Sequence, residues 1–329
     1  MNKIVQFSTI GDPTVLQLVS APQSVLAKDE VRIKVFAIGL NRADVAFRAG
    51  QYLVQPVLPS RVGFEAAGIV SEVGESVREI NVGSNVAVLP NFDPTKYGTY
   101  GEEIVIPAAS VITMDPRVPH AVAAASWMQY LTAYGGLTRA TSIWPGAFVL
   151  LTAATSSVGL AAIQICNLLG AIPIAVTRNS EKSEALVRAG APHVIATDSQ
   201  DLVAEVQRIT NGHGADIVFD PVAGEIVNSL ANACAINGTL VLYGALAGFG
   251  APLPFGQLIR KGLTIRGWYL TEMFGKPEWL TEAKRFVGDR LVDGTLSPVI
   301  AKSFHLSEVI AAHQYLEDNA QVGKVVMTV

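Results

Sequence analysis

At 329 residues the chain is long enough for about two domains, each with its own core, which excludes a single small binding module. Lys and Arg number 24 against 28 for Asp and Glu, a net charge of −4, so there is no cationic field to hold nucleic acid or an anionic membrane. With 50% hydrophobic and only 16% charged residues, the sequence belongs with well-packed globular proteins and not with disordered ones.

The start, MNKIVQFSTIGDP, has one Lys but neither an apolar run nor a small-residue cleavage site, so the reading is cytoplasmic. Up to about residue 112 the sequence then reads as short strands with turn punctuation: VRIKVFAIGL (31–40), EAAGIVSEVG (65–74), NVAVLP (85–90) and GEEIVIPAASVIT (101–113). Frequent Gly marks close turns and bulges, as expected of a small barrel or sandwich.

From about residue 123 the pattern changes to alternating strands and helices. AFVLLT (147–152) is a buried-strand run, and SSVGLAAIQICNLLG (156–170) is helical, with Val158, Ala161, Ile165 and Leu168 on one face. Strands at IPIAVT (172–177), HVIAT (193–197), ADIVFD (215–220) and TLVLYG (239–244) alternate with helices at 180–190, 201–210 and near 225–236. Strands buried on both faces and separated by helices predict a parallel sheet of right-handed βαβ units. The apolar stretch 157–176 is broken by Gln164, Asn167 and Pro173, short of the ~18 uninterrupted residues of a membrane span. Cys166 and Cys234 read as core filler in a reducing compartment and not as a disulfide. LTIRGWYL (263–270) reads as a further strand at the sheet edge, a helix is expected over 277–294, and GKVVMTV (323–329) is a last strand. An apolar edge left open invites pairing, so a homodimer is expected.

The turn after AFVLLT carries small residues at Ala154-x-Ser156-x-x-Gly159, the spacing of a dinucleotide-binding fingerprint. Small side chains there let backbone N–H groups and the helix N-terminus approach a pyrophosphate, although the same residues also suit an ordinary βα turn. The second strand ends at Thr177-Arg178-Asn179-Ser180 with no Asp or Glu to bond both ribose hydroxyls of NAD. Thr177, Arg178, Ser180 and Lys182 supply donors and positive charge instead, which favours NADP(H); the alternative is a solvated helix start paired with Glu181 and Glu184.

Taken together, Gly39-Leu40-Asn41-Arg42-Ala43-Asp44, Arg48 to Tyr52, Gly63-Phe64-Glu65-Ala66-Ala67-Gly68, Ala153 to Gly159, Asp220 to Gly224 and Gly323-Lys324-Val325-Val326 resemble the medium-chain dehydrogenase/reductase superfamily. The likeness is greatest to its zinc-free quinone oxidoreductase, or zeta-crystallin-like, branch. The resemblance runs nearly end to end. It implies a GroES-like β-barrel catalytic domain (1–123), a Rossmann doubly wound NADP(H)-binding domain (124–268), a return to the first domain (269–329), and a substrate held between them. The cofactor contacts it implies are Asn41 at the nicotinamide ribose, Thr132 at the nicotinamide, Ala154, Thr155, Ser156, Ser157 and Val158 at the pyrophosphate, and the backbones of Tyr243-Gly244 and Trp268-Tyr269. Lys324 matches a basic position that approaches the cofactor. Ala46 stands where quinone oxidoreductases often carry an aromatic residue.

No metal is expected. The five histidines never fall at a C-x-x-C or H-x-x-x-H spacing from one another or from a Cys, and each reads as a surface or satisfied core residue. The places of the zinc ligands in metal-binding relatives look like Asn41, Phe64 and Met128 here. Hydride delivery without a Lewis acid favours an acceptor that already stabilises charge, a quinone or a conjugated alkene. Tyr52, Asn41 and Arg42 are the candidate donors, with Asp44 as an orienting or capping residue. In related 2-enoyl thioester reductases a tyrosine at the place of Tyr52 is implicated in proton donation, while a packed tyrosine is the alternative. Phe64, Trp127, Met128 and Tyr130 would wall an apolar pocket, or simply belong to the core. Three functions stand open: an NADPH-dependent quinone or activated-alkene oxidoreductase, a 2-enoyl thioester reductase, and a non-catalytic NADPH-binding structural or sensor protein.

Overall fold

The computed structural model describes all 329 residues, which divide into two compact units, 1–128 with 286–329, and 129–285. The second crossing falls inside the helix Pro277–Val292, at residue 286 and not at the 269 that the resemblance implies.

The contiguous unit is built on six parallel strands in the order His193–Ala196, Ile172–Thr177, Phe148–Leu151, Ala215–Asp220, Cys234–Leu242, Thr264–Gly267. Numbered along the chain from Phe148, that order is 3-2-1-4-5-6, the doubly wound arrangement with its switch point where strand order reverses. Apolar runs such as Phe148–Leu151 and Ile172–Thr177 form central strands because both faces of the sheet are covered. The helix Ser157–Leu168 starts where Ser156 caps it, its hydroxyl accepting from the Gly159 N–H at 3.1 Å.

One strand begins earlier than the sequence pattern indicates. Residues from Cys234 already pair with Ala215, and the ladder then slips so that Ile217 faces Thr239. Asn237, at φ +61, and Gly238 absorb the irregularity, so the alternation that marks a strand is broken in its middle. Cys166 and Cys234 are both free and buried, as expected. No helix is long and apolar enough to cross a membrane.

The discontinuous unit is a bent seven-stranded sheet beside a three-stranded one formed by Gln17–Ala21, Asn2–Phe7 and Ser60–Arg61. The strand Glu30–Gly39 is its axis, pairing antiparallel with Glu65–Val73, Glu103–Pro107 and, from the far end of the chain, Lys324–Thr328. This pairing puts Gly39, Glu65 and Val326 in register at one end of the sheet, directly before Asn41. The short helix Arg42–Arg48 follows at once.

Candidate active site and cofactor-binding site

In the contiguous unit the turn after Phe148–Leu151 is shaped by small residues. Ala153 takes a left-handed φ of +46, and a Cβ on Gly159 would stand 2.6 Å from the Ala154 Cα and carbonyl oxygen, so only glycine lets the helix sit this close to the strand. Ser156, Ser157 and Val158 open the helix, where the first-turn N–H groups have no intrahelical acceptor. At the switch point Thr152 donates to the buried Asp220 carboxylate, which also accepts from the Ala223 N–H at 2.7 Å. Burial raises the Asp220 pKa, opposed by those bonds. Tyr243 stacks on Phe219 with centroids 4.0 Å apart, and its buried hydroxyl faces the Ser156 side chain in that turn. A turn held tight by Gly159, with first-turn N–H groups at its helix start, fits a ligand rich in acceptor oxygens.

At the end of the second strand the expected donors divide. The Thr177 hydroxyl is buried and spent on the backbone of Asn179, and Ser180 donates both its N–H and its hydroxyl to Asp198, so neither remains for a ribose. Arg178 is exposed, and Glu184 pairs with Arg188. Partial burial and then the Arg178 charge hold the Lys182 pKa below its usual value, which places the two cations close enough to repel. A group with two negative charges would relieve that repulsion.

Elsewhere in this unit Trp268 is buried and its indole N–H donates to the Thr132 carbonyl at 3.0 Å, fixing the half-buried Thr132 on its helix. The Tyr243 and Trp268 backbone N–H groups are bonded to the carbonyls of Asp220 (2.9 Å) and Leu242 (2.8 Å), so these two donors are spent within the fold. A Cβ on Gly244 would meet the Pro221 carbonyl oxygen at 2.8 Å, and Tyr269 is 36% exposed. Tyr130 is fully buried and donates to Gln164 at 2.9 Å.

In the discontinuous unit the motif after Gly39 assembles a buried polar cluster. Lys324, 1% exposed, donates to the Asn41 carboxamide oxygen at 2.6 Å and to Glu65 at 2.7 Å. Asn41 donates to the Gly39 carbonyl at 3.2 Å, and the other Glu65 oxygen accepts from the Met128 N–H at 3.0 Å. Asp44 is fully buried and accepts from the Asn41 N–H at 2.6 Å. It therefore orients Asn41 and does not itself meet a substrate. Lys324 is likewise a buried partner of Asn41 and Glu65, with little surface to offer a cofactor directly. Arg42 bonds the Asn319 side chain from the other end of the chain. Tyr52 is half-buried, with its ring 5.4 Å from Phe64 and edge-on to Phe47 at 6.4 Å. Trp127 has no exposed surface, and its indole N–H points at the Met114 sulfur. Trp127 and Tyr130 are thus core residues and not pocket wall, because each is packed on all sides; Phe64 is nearly as buried, at 4%, and Met128 is half-buried. In the sequence Glu65 and Arg48 stand inside motifs that give neither a role of its own, and nothing marks Tyr100. The hydrogen-bond partners that assign their roles lie up to 265 residues away.

Asp44 sets a pH dependence. Burial pushes its pKa from 3.8 up to about 7, against the opposing Asn41 N–H, the Lys324 charge and the Tyr100 hydroxyl. Since the folded value lies above the unfolded one, the stability Asp44 contributes is full below about pH 4 and is lost as the pH rises through 7. Relative to Asp44→Asn, the native protein is therefore expected to lose stability between pH 4 and 7, read as denaturant midpoints of the two proteins at constant salt. A gap that stays constant over that range would contradict it.

No three His, Cys, Asp or Glu side chains form a group that could hold a metal ion. The residues at the expected ligand places, Asn41, Phe64 and Met128, do not fit zinc, since none offers the thiolate, imidazole or carboxylate that zinc takes.

Comparison with known proteins extends the picture. Residues 27–116 match the model of the alcohol dehydrogenase GroES-like domain, and residues 157–287 that of the zinc-binding dehydrogenase. The chain is 31% identical over 327 residues to quinone oxidoreductase 1 of Escherichia coli K12, covering 97% of each chain. It is 30% identical over 305 residues to the 2-haloacrylate reductase of a Burkholderia species, covering 91% of this chain and 90% of the relative. Among solved structures, that of Escherichia coli quinone oxidoreductase complexed with NADPH superposes with a TM-score of 0.93 at 30% identity, covering 99% of this chain and all of the other.

Proposed function

Because the chain belongs to the medium-chain dehydrogenase/reductase superfamily, in its quinone oxidoreductase branch, we propose that it is an NADPH-dependent oxidoreductase that reduces a quinone or another conjugated carbonyl acceptor without zinc. The observation that carries the cofactor reading is the Arg178–Lys182 pair beyond the second strand, with no acid at that strand end to bind a free ribose diol. When bound, NADPH supplies the hydride. The residues that would hold it are Ser156 to Gly159 at the pyrophosphate, Arg178 and Lys182 at the 2′-phosphate, Thr132 and Asn41 toward the nicotinamide end. The chain's own part is to orient these groups: Trp268 fixes Thr132, and Lys324 and Asp44 fix Asn41. The donor set offers hydrogen bonds and not a Lewis acid, which suits an acceptor whose conjugation already spreads the incoming charge.

The deciding experiment follows NADPH oxidation against a panel of quinones, enones and enoyl thioesters, with zinc content and chelator sensitivity measured on the same sample. Turnover with quinones, well under one zinc per chain and indifference to chelators are expected. A stoichiometric zinc whose removal abolishes turnover would overturn the reading. A 2-enoyl thioester reductase is the second reading, favoured by the likeness to a haloacrylate reductase.

Arg178→Ala is expected to weaken NADPH binding about 10–100-fold, as for one charge-assisted phosphate contact, and to leave NADH binding unchanged. Equal loss for both cofactors, in fluorescence titrations, would remove Arg178 from the 2′-phosphate. The strand Thr264–Gly267 is one of the two edges of its sheet, and Phe249, Phe255 and Ile259 in the segment before it are exposed, so the protein is proposed to pair through this edge as a homodimer. Sedimentation at micromolar concentration should give twice the chain mass; a monomer there would contradict it.

A further inference from the structure

Within the discontinuous unit a second buried polar chain leads away from Asn41. Asp44 Oδ2, which holds the Asn41 N–H, also accepts from the Tyr100 hydroxyl at 3.1 Å. The Tyr100 oxygen lies 3.2 Å from His313 Nε2, and His313 Nδ1 lies 2.9 Å from Arg48 Nη1. Tyr100, His313 and Arg48 are all essentially without exposed surface. Arg48 also donates to the Gly11 carbonyl at 3.0 Å and pairs with Glu317 at 2.9 Å, where the chain reaches solvent.

The direction of every bond follows from donor chemistry. A guanidinium has only hydrogens to offer, so His313 Nδ1 is the bare nitrogen and its proton sits on Nε2. That N–H points at the Tyr100 oxygen, which leaves the phenolic hydrogen for Asp44 Oδ2. The sense is Arg48 to His313 to Tyr100 to Asp44. A second proton on His313 would set N–H against N–H, and burial together with the Arg48 charge holds its pKa down to about 3. Protonation of Asp44 does not reverse the chain, because Oδ1 has no partner and can take the proton while Oδ2 keeps both bonds. Arginine does not pass protons at neutral pH, so the chain is not a proton path. What it delivers is orientation.

We propose that His313 and Tyr100 are positioning residues for the reaction: they fix the Asp44 carboxylate, which holds Asn41 where it meets the nicotinamide end of the cofactor. The proposal rests on the NADPH reading above. Neither residue reaches the ligand; both act through Asp44 on Asn41.

The test compares His313→Leu, His313→Gln and Tyr100→Phe. Glutamine can accept from Arg48 and donate to Tyr100, reproducing the one-way chain, whereas leucine fills space and does neither. His313→Leu and Tyr100→Phe are expected to weaken NADPH binding and lower kcat/KM by about tenfold or more, and His313→Gln to stay within about threefold of the native protein. Added to Asn41→Ala, His313→Leu should cost nothing further, because the two act on one contact. Should His313→Leu fail to fold, Tyr100→Phe, which deletes a single oxygen, carries the same comparison. Equal loss in the leucine and glutamine variants, or losses that add to that of Asn41→Ala, would overturn the proposal and leave the chain as a fold element only. A 15N spectrum of cofactor-free protein supplies a readout independent of NADPH: His313 Nδ1 should be unprotonated from pH 5 to 8, and a proton there overturns the assigned direction. If the native protein binds no NADPH, the cofactor reading fails first and the role of Asn41 falls with it. Additive losses in a protein that does bind NADPH defeat the positioning role alone.

Discussion

Lys324→Met is expected to cost about 3–5 kcal/mol of folding free energy, because it strips the counter-ion from a carboxylate that has no access to water. Glu65 is 0% exposed and Lys324 1%, with 2.7 Å between them. Methionine fills most of the space but leaves Glu65 with only the Met128 N–H at 3.0 Å and a long 3.4 Å bond from Asn41. The double variant Lys324→Met, Glu65→Gln should recover part of the loss, since it removes the orphaned charge as well. Denaturant midpoints of the two single variants and the double variant give the interaction directly. Losses below about 1 kcal/mol, or strictly additive ones, would mean that water reaches the pair.

The second large effect concerns Tyr52. A conjugated alkene reduced at its β-carbon still needs a proton at the α-carbon, and a positioned phenol contributes roughly 10²–10⁴-fold to such a transfer. A quinone takes its protons on oxygen, where water at the rim of a site suffices. Tyr52→Phe should therefore leave quinone turnover near normal if the acceptor is a quinone, and cut enoyl turnover by that factor if it is an enoyl group, with NADPH binding unchanged either way. The ring packs on Phe47 and Phe64, and phenylalanine keeps that packing, so the hydroxyl is tested by itself. A variant that unfolds or loses NADPH would assign Tyr52 to the core alone.

The parts of the molecule legible in the sequence are those set by local rules. Apolar runs separated by amphipathic stretches place each strand of the parallel sheet, and the small residues from Ala154 to Gly159 mark the turn because sterics there tolerate nothing larger. The strand from Cys234 is misjudged at its start because Asn237 and Gly238 interrupt its alternation. Trp127 and Tyr130 look like pocket wall, since an aromatic residue that fills a core and one that faces a ligand share the same pattern. The polar core around Asn41 is the least legible part. Arg48, Tyr100 and His313 are unremarkable one by one, and their roles exist only through partners contributed by segments as much as 265 residues away.

The interrupted makeup of the first unit also bears on the order in which the protein can be made. Residues 129–285 form their sheet from one continuous stretch and can close as soon as that stretch has left the ribosome. The other unit cannot, because Lys324–Thr328, which pairs with the Ala37–Gly39 end of Glu30–Gly39, follows that stretch in the chain. Until it arrives, Glu65 waits without its lysine and Asp44 has not yet gained the histidine at the far end of its chain of bonds. Residues 129–285 can therefore close before the unit around them is complete, and in that interval the Ala37–Gly39 end of Glu30–Gly39 lacks its neighbour.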